Sequence, residues 1–168
     1  LIENKDRVYV GPAIAWEMAF LENAEKMGYK SDSREVIEYQ KELEETISSY
    51  KKMKDAGIKI LVGGDYGLDI APHGTYAKDL EHYVNLFGFS NAEAMHCATS
   101  LGGEAMDNNG LLGTLEEGKL ADLVIVDGNP LEDITVLQDH KKIKAVMKDG
   151  LIYQGLTNKI NPYLNENL

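Results

Sequence analysis

The sequence contains a single cysteine, Cys97, among its 168 residues. One cysteine excludes an intrachain disulfide and any zinc site built on cysteine pairs. No apolar run approaches the roughly 20 residues that cross a membrane as a helix, so we expect no membrane partner. Positive charge is also scarce, because 28 Asp and Glu outnumber 17 Lys and Arg for a formal net charge of −11. Since nucleic-acid binding needs a basic surface, we expect no nucleic-acid partner either.

What is present is typical of a globular domain. The apolar share is 43% and the charged share is 27%, as in ordinary folded proteins. The length suits one domain, or one domain with a small addition. The sequence opens with Leu1 rather than methionine, which indicates either a trimmed start or a missing N-terminal part.

The first half of the sequence predicts a strand, a long helix and a second strand. Residues 7–11 are apolar and β-rich. The capping-box spacing of Asp32 and Glu35 opens the helix, and Gly57 is placed to cap its end. Residues 58–64 are apolar on both faces, which is typical of a parallel sheet covered by helices. Such units are right-handed and bring the carboxyl ends of their strands to one edge.

The second half predicts helices followed by a small β unit. Residues 75–88 and 90–106 have helical patterns, and the second begins with a capping-box spacing. From residue 108 onward, short apolar runs alternate with Gly, Asn and Pro, as in short strands. The turn sequence KDG separates the last two runs and predicts a hairpin.

Asp65 comes directly after the second predicted strand, in IKILVGGDYG. A buried carboxylate is costly unless it is compensated. The spacing alone leaves two interpretations open, a turn aspartate and an active-site acid at the edge where strands end. Gly63 and Gly64 would allow close backbone approach just before this acid.

Other candidate residues follow the two predicted strands. His73 lies in the loop after Asp65 and could contact substrate or make a structural hydrogen bond. Trp16 and Tyr66 could form aromatic pocket walls or pack against the rim of the core. A nucleophilic pair of His96 and Cys97 is not expected, because adjacent helical residues do not face each other.

Four separate stretches of the sequence follow one another in a distinctive order and spacing: GGDYGLDIAPHGTYAKDLEHYV, FSNAEAMHCATSLGGEAM, GTLEEGKLADLVIVDGNPLEDI and KAVMKDGLIY. Together they resemble the C-terminal region of metal-dependent amidohydrolases. The most similar subgroup contains imidazolonepropionase-like hydrolases and prolidase or arginine-carboxypeptidase relatives. The resemblance covers about residue 7 to residue 153.

The resemblance implies an α/β fold that is only part of a larger one. Residues 7–14 and 58–64 would be strands seven and eight of a (β/α)8 barrel. Residues 1–107 would form the barrel part, 108–155 the C-terminal half of a small β-sandwich, and 156–168 a polar tail. A whole barrel usually needs at least ~200 residues. We therefore expect a fragment, whose missing N-terminal barrel part lies on the same or a separate chain.

The resemblance also implies a function, a metal-dependent hydrolase of amide-type C–N bonds. The substrate would be a small molecule: a dipeptide, an N-acyl amino acid or a cyclic amide. Asp65 would bind the metal and accept a proton from the metal-bound water. The metal would be zinc, as one ion or two. His73, Tyr66 and Trp16 would contact substrate.

Departures from the family pattern limit what this chain does alone. The sequence has no His-x-His motif, and no lysine can be placed as a carboxylated ligand. We therefore expect the isolated chain to be inactive. Separately, we expect the complete protein to be a homo-oligomer. The alternative is a non-catalytic amidohydrolase-like scaffold or assembly protein.

Overall fold

The computed structural model describes residues 1–106 and 109–155, and it confirms the mixed α/β class. The predicted tail, 156–168, and the junction at 107–108 lie outside the described residues. The helices are α1 (Ile14–Asn23), α2 (Arg34–Asp55), α3 (Lys78–Phe87), α4 (Asn91–Ala98) and α5 (Ser100–Met106), and two 3-10 helices cover Ile2–Asn4 and Ile134–Gln138. The strands are β1 (Tyr9–Val10), β2 (Lys59–Ile60), β3 (Leu123–Val126), β4 (Ile143–Lys148) and β5 (Leu151–Gly155).

The predicted strand–helix–strand unit is present, with shorter strands than expected. β1 and β2 are parallel, with Tyr9 opposite Lys59 and Val10 opposite Ile60. The ladder gains one further bond, from the Leu61 amide to the Val10 carbonyl at 2.9 Å. Within the described part of the chain, β1 and β2 have only each other as hydrogen-bonded neighbours. The pairing therefore ends where these two strands diverge. The segment from residue 62 onward therefore leaves the sheet as a loop.

The long helix α2 begins one residue later than its sequence pattern predicts. Ser33, not Asp32, is the N-cap: its backbone is extended and its Oγ accepts a hydrogen bond from the Val36 amide at 3.4 Å. The other end agrees with the prediction. Gly57 has a φ of +72° and adopts the left-handed conformation that ends many helices.

The single helix predicted for residues 90–106 is two helices. Its start is confirmed, because Ser90 and Glu93 form a complete capping box. The helix then breaks at Thr99, whose φ of −116° and ψ of −90° lie outside the helical region. The backbone around Gly113 packs against this break, since a Cβ there would lie 2.9 Å from the Thr99 carbonyl oxygen. This tertiary contact is invisible in a local pattern.

The core fixes α3 beside the end of β2. Tyr83 and Phe87 of α3 are 0% and 1% exposed, and Ile60 of β2 is 2% exposed. The Tyr83 hydroxyl donates to the Leu61 carbonyl at 2.6 Å. Tyr50 of α2 stacks on Phe87 with ring centroids 5.0 Å apart. Consequently, contacts with α3 fix the position of the residues that directly follow β2.

The strands β3, β4 and β5 form an antiparallel meander. The predicted hairpin turn is confirmed, because Asp149 and Gly150 both have positive φ, +51° and +76°, as a type I′ turn requires. Ile134 of the second 3-10 helix joins the core that contains α3. Val124 and Tyr153 are exposed on the strands. The division into a barrel part and a sandwich part stays a prediction.

Among the described residues, no helix is both long enough and apolar enough to span a membrane.

Candidate functional site

Asp65 stands at the centre of the candidate site. It lies five residues beyond the end of β2 and is exposed, so burial imposes no need for a compensating charge. Its φ is +50°, which is uncommon outside glycine but tolerated by Asp and Asn. Within the described residues, its carboxylate takes part in no hydrogen bond or ion pair. An unpaired acid held in an unusual backbone conformation is a candidate for function.

The two glycines before Asp65 are not equivalent. A Cβ on Gly64 would lie 2.4 Å from Tyr66 Cε2, 2.6 Å from Asp79 Oδ2 and 2.8 Å from the Ala15 Cβ. A Cβ on Gly63 would meet no atom within 4 Å. The close approach predicted for both glycines therefore exists at Gly64 alone.

The loop after Asp65 brings two of the predicted site residues into one aromatic cluster. The Tyr66 ring meets the Tyr76 ring edge to face, with centroids 4.8 Å apart. Tyr76 also reaches His73, since its hydroxyl lies 2.7 Å from His73 Nδ1. The His73 ring covers Gly67, whose φ is +119° and whose Cβ would lie 3.0 Å from His73 Nε2. Tyr76, which joins His73 to Tyr66, was not among the residues predicted from the sequence.

Trp16 belongs to a different cluster. Its half-buried ring lies 6.4 Å from the Phe20 ring. Phe20 in turn contacts the rings of Tyr39 and Tyr29, at 4.1 and 5.5 Å. None of the ring contacts recorded for the described residues joins Trp16 to the Asp65 loop. These contacts favour packing as the role of Trp16, and its predicted contact with substrate stays untested.

A second acid, Asp79, lies next to the Asp65 loop but is fully buried. It is 0% exposed, and neither carboxylate oxygen has a hydrogen-bond partner of good geometry within the described residues. Burial raises its pKa to about 6, while the nearby Tyr66 hydroxyl acts in the opposite direction. The sequence held one signal for this residue. Asp79 occupies the same helical stripe as the core residues Tyr83 and Phe87, at spacings of four and eight.

We expect Asp79 to make stability depend on pH. Its folded pKa of about 6 exceeds its usual value of 3.8, so the folded protein holds the proton more tightly. Below about pH 4, Asp79 is protonated in both the folded and the unfolded protein and does not change the free energy of unfolding. Its contribution lowers that free energy as the pH rises from about 4 to about 6, and the contribution is constant at higher pH. By linkage the loss is about 3 kcal/mol at most.

Urea unfolding of wild type and Asp79→Asn at pH 4 and pH 7 measures this effect. Wild type should lose stability relative to the variant between the two pH values, because Asp79 is the one titrating group that differs between the two proteins. Identical pH dependence in both proteins would show that Asp79 ionises as readily as an exposed acid.

The remaining titratable candidates do not extend the site. Burial raises the pKa of the Cys97 thiol to about 11, which keeps it protonated and unreactive. His96 is exposed, and its Nδ1 lies 2.5 Å from Ser100 Oγ. His82 is 6% exposed, and burial followed by the nearby Lys78 lowers its pKa.

The described residues can supply only part of the ligand set of a metal ion. They contain no group of three or more His, Cys, Asp or Glu that could bind an ion. Among the predicted site residues, Asp65 fits a metal, because its exposed carboxylate is an oxygen ligand with no competing partner among the described residues. Any further ligands must come from other residues.

Comparison with known proteins decides the family. The family described as "Amidohydrolase family" matches residues 6–152, which is most of the chain. The chain belongs to the amidohydrolase family. This agrees with the resemblance stated on the sequence, and divalent metals are general in this family.

The amidohydrolase relatives include an ochratoxinase. The Aspergillus niger enzyme is 32% identical over 160 residues, which are 92% of this chain and 31% of that protein. Its crystal structure matches with a TM-score of 0.75 at 27% identity and covers 88% of this chain and 32% of that one.

Prolidase-like amidohydrolases are similar as well. A putative prolidase from Bifidobacterium longum has a TM-score of 0.74 at 28% identity, covering 86% of this chain and 34% of that one. A Xaa-Pro dipeptidase with bound methionine has a TM-score of 0.70 at 31% identity, covering 92% and 37%. These relatives are consistent with the expected subgroup. The chain spans about a third of the length of the relatives that it matches.

Proposed function

We propose that this chain is part of a metal-dependent hydrolase of amide-type C–N bonds. The observation that carries the proposal is Asp65: an exposed, unpaired carboxylate beyond the carboxyl end of a parallel strand, with a φ of +50°. In parallel β/α barrels, reacting residues stand at the carboxyl ends of the strands. Membership of the amidohydrolase family supports the same reaction class.

Asp65 would have two roles in this proposal. Its carboxylate would hold a divalent metal, zinc in our proposal, and would accept a proton from the attacking water. When bound, such a metal polarises the substrate carbonyl and makes water a stronger acid. No described residue competes for the carboxylate, so it is free for both roles.

The substrate would be a dipeptide, an N-acyl amino acid or a cyclic amide. A prolidase and a dipeptidase among the relatives support the first of these. His73 and Tyr66 would line the substrate site, since Tyr76 holds both beside the Asp65 loop. Trp16 stays a predicted contact.

We also propose that this chain acts together with the remaining strands of a barrel. The relatives are about three times longer, and the described parallel sheet has two strands. Large apolar side chains such as Ile37, Leu68 and Tyr153 are exposed. They would become covered by the rest of the barrel and sandwich, on the same or a separate chain.

An assay of the complete protein tests this proposal. The full-length protein should hydrolyse members of a panel of dipeptides, N-acyl amino acids and cyclic amides. Treatment with a chelator should abolish that activity, and zinc should restore it. A protein that binds its partners but hydrolyses no member of the panel, with or without metal, would instead support the non-catalytic scaffold.

A further inference from the structure

We propose that Asp79 is a positioning residue for Asp65, acting through a hydrogen bond that it accepts from the Tyr66 hydroxyl behind Gly64. The inference rests on the proposed function only in that Asp65 is the acid being positioned. Asp79 itself contacts neither metal nor substrate in this account.

The first support is the state of the two side chains. Both Asp79 oxygens and the Tyr66 hydroxyl are buried without a hydrogen-bond partner of good geometry in the described part of the protein. A buried carboxylate left in this state is strongly destabilising. A phenol is a donor and a carboxylate is an acceptor, so each supplies what the other lacks.

The second support is their place in the fold. The missing Cβ of Gly64 leaves a space that Tyr66 and Asp79 fill from the same side, since that Cβ would lie 2.4 Å from Tyr66 Cε2 and 2.6 Å from Asp79 Oδ2. The two side chains therefore meet directly behind the backbone that precedes Asp65. The Tyr66 hydroxyl is near enough to the Asp79 carboxyl to lower the pKa of that group.

His82 is the rival partner for Asp79, because it lies three residues further along α3 and its Nε2 is buried without a partner. The contacts favour Tyr66, because Tyr66 Cε2 and Asp79 Oδ2 both lie within 2.6 Å of the position that a Gly64 Cβ would take. The pKa of His82 is shifted by burial and by Lys78, Glu22 and Glu81, and Asp79 is not among the causes.

The consequence for Asp65 follows from connectivity. Tyr66 is the next residue, so a fixed Tyr66 ring fixes the peptide that leaves Asp65. The ring is held by Asp79 on one side and by Tyr76 on the other, at 4.8 Å. Helix α3 also binds the start of this loop, through the Tyr83 hydroxyl and the Leu61 carbonyl. One rigid helix thus holds both ends of the segment that presents Asp65.

A set of variants in the full-length protein tests this role. Tyr66→Phe removes the donor, Asp79→Leu removes the acceptor, and Asp79→Asn keeps an acceptor of the same shape. Tyr153→Phe is the control, because Tyr153 is 67% exposed on β5. The readouts are kcat, KM, the zinc dissociation constant from chelator competition, and urea unfolding.

We expect Tyr66→Phe and Asp79→Leu to lower kcat and weaken zinc binding by about 10- to 100-fold each, as is typical of groups that orient a ligand. KM should change less than about 3-fold. Asp79→Asn should restore most of both losses. The double variant should be no worse than the poorer single variant, because both changes break one interaction.

Two results would overturn the inference. One is wild-type kcat and zinc affinity in Tyr66→Phe and Asp79→Leu, while Asp65→Asn is inactive. The other is additive effects of the two changes on urea unfolding, which would show that the side chains do not interact. The unfolding cycle needs no catalysis, so it decides the inference even if no substrate is hydrolysed and the proposed function fails.

Discussion

Replacing Asp65 by Asn is expected to lower kcat/KM of the full-length protein about 10³-fold. A positioned proton acceptor contributes about 10²- to 10⁴-fold, and the amide cannot accept the proton. Asn is the appropriate substitute, because it tolerates the left-handed conformation as well as Asp does. The fold should therefore survive, since Asp65 has an exposed side chain with a φ of +50°.

A matched control separates this effect from a general one. Asp149 is also exposed, and its φ of +51° is nearly the same. It lies in the hairpin between β4 and β5, away from the proposed site. Asp149→Asn should leave kcat/KM unchanged, and the urea unfolding midpoints of both variants should match that of wild type. Full activity in Asp65→Asn would refute the role assigned to Asp65.

Gly64→Ala is expected to cost about 1–3 kcal/mol of folding free energy, the usual range for overpacking. The new methyl group would overlap Tyr66, Asp79 and Ala15, all within 2.8 Å. The Ala15 Cβ is fixed to α1 and cannot move aside. Relief of the overlap must displace the Asp65 loop, so we also expect kcat to fall.

Gly63→Ala is the control for this change. It adds the same methyl group one residue earlier, where no atom lies within 4 Å. Urea unfolding of both variants measures the difference. Equal stability of the two would mean that the space behind Gly64 is not filled as described.

The elements that were predicted correctly depend on local chemistry. The Ser90–Glu93 capping box and the Asp149–Gly150 turn each follow from what a few adjacent residues require of the backbone. The parallel pairing of β1 and β2 follows from two apolar runs joined by a helix. The predicted start of α2 was wrong by one residue, because Ser33 and Asp32 are both good N-cap residues. Only the backbone conformation in the folded protein selects one of them.

The candidate site was predicted less completely, for a physical reason. Asp65 could be found because it ends an apolar run after two glycines. The pairing of Tyr66 with Asp79, and the link from His73 to Tyr66 through Tyr76, arise where α3 packs against the loop. Such contacts join residues about ten positions apart through tertiary packing, and no periodicity encodes them. The barrel and sandwich assignments stay predictions, because they concern strand pairings that the described residues do not contain.

The most direct test of the account is the metal content of the full-length protein. Elemental analysis and chelator competition should be made on wild type, Asp65→Asn and Asp149→Asn. The account predicts bound divalent metal in wild type and Asp149→Asn, with affinity at least about 100-fold weaker in Asp65→Asn. This loss should exceed the 10- to 100-fold typical of residues that only orient a ligand. Wild-type metal affinity in Asp65→Asn would contradict the account.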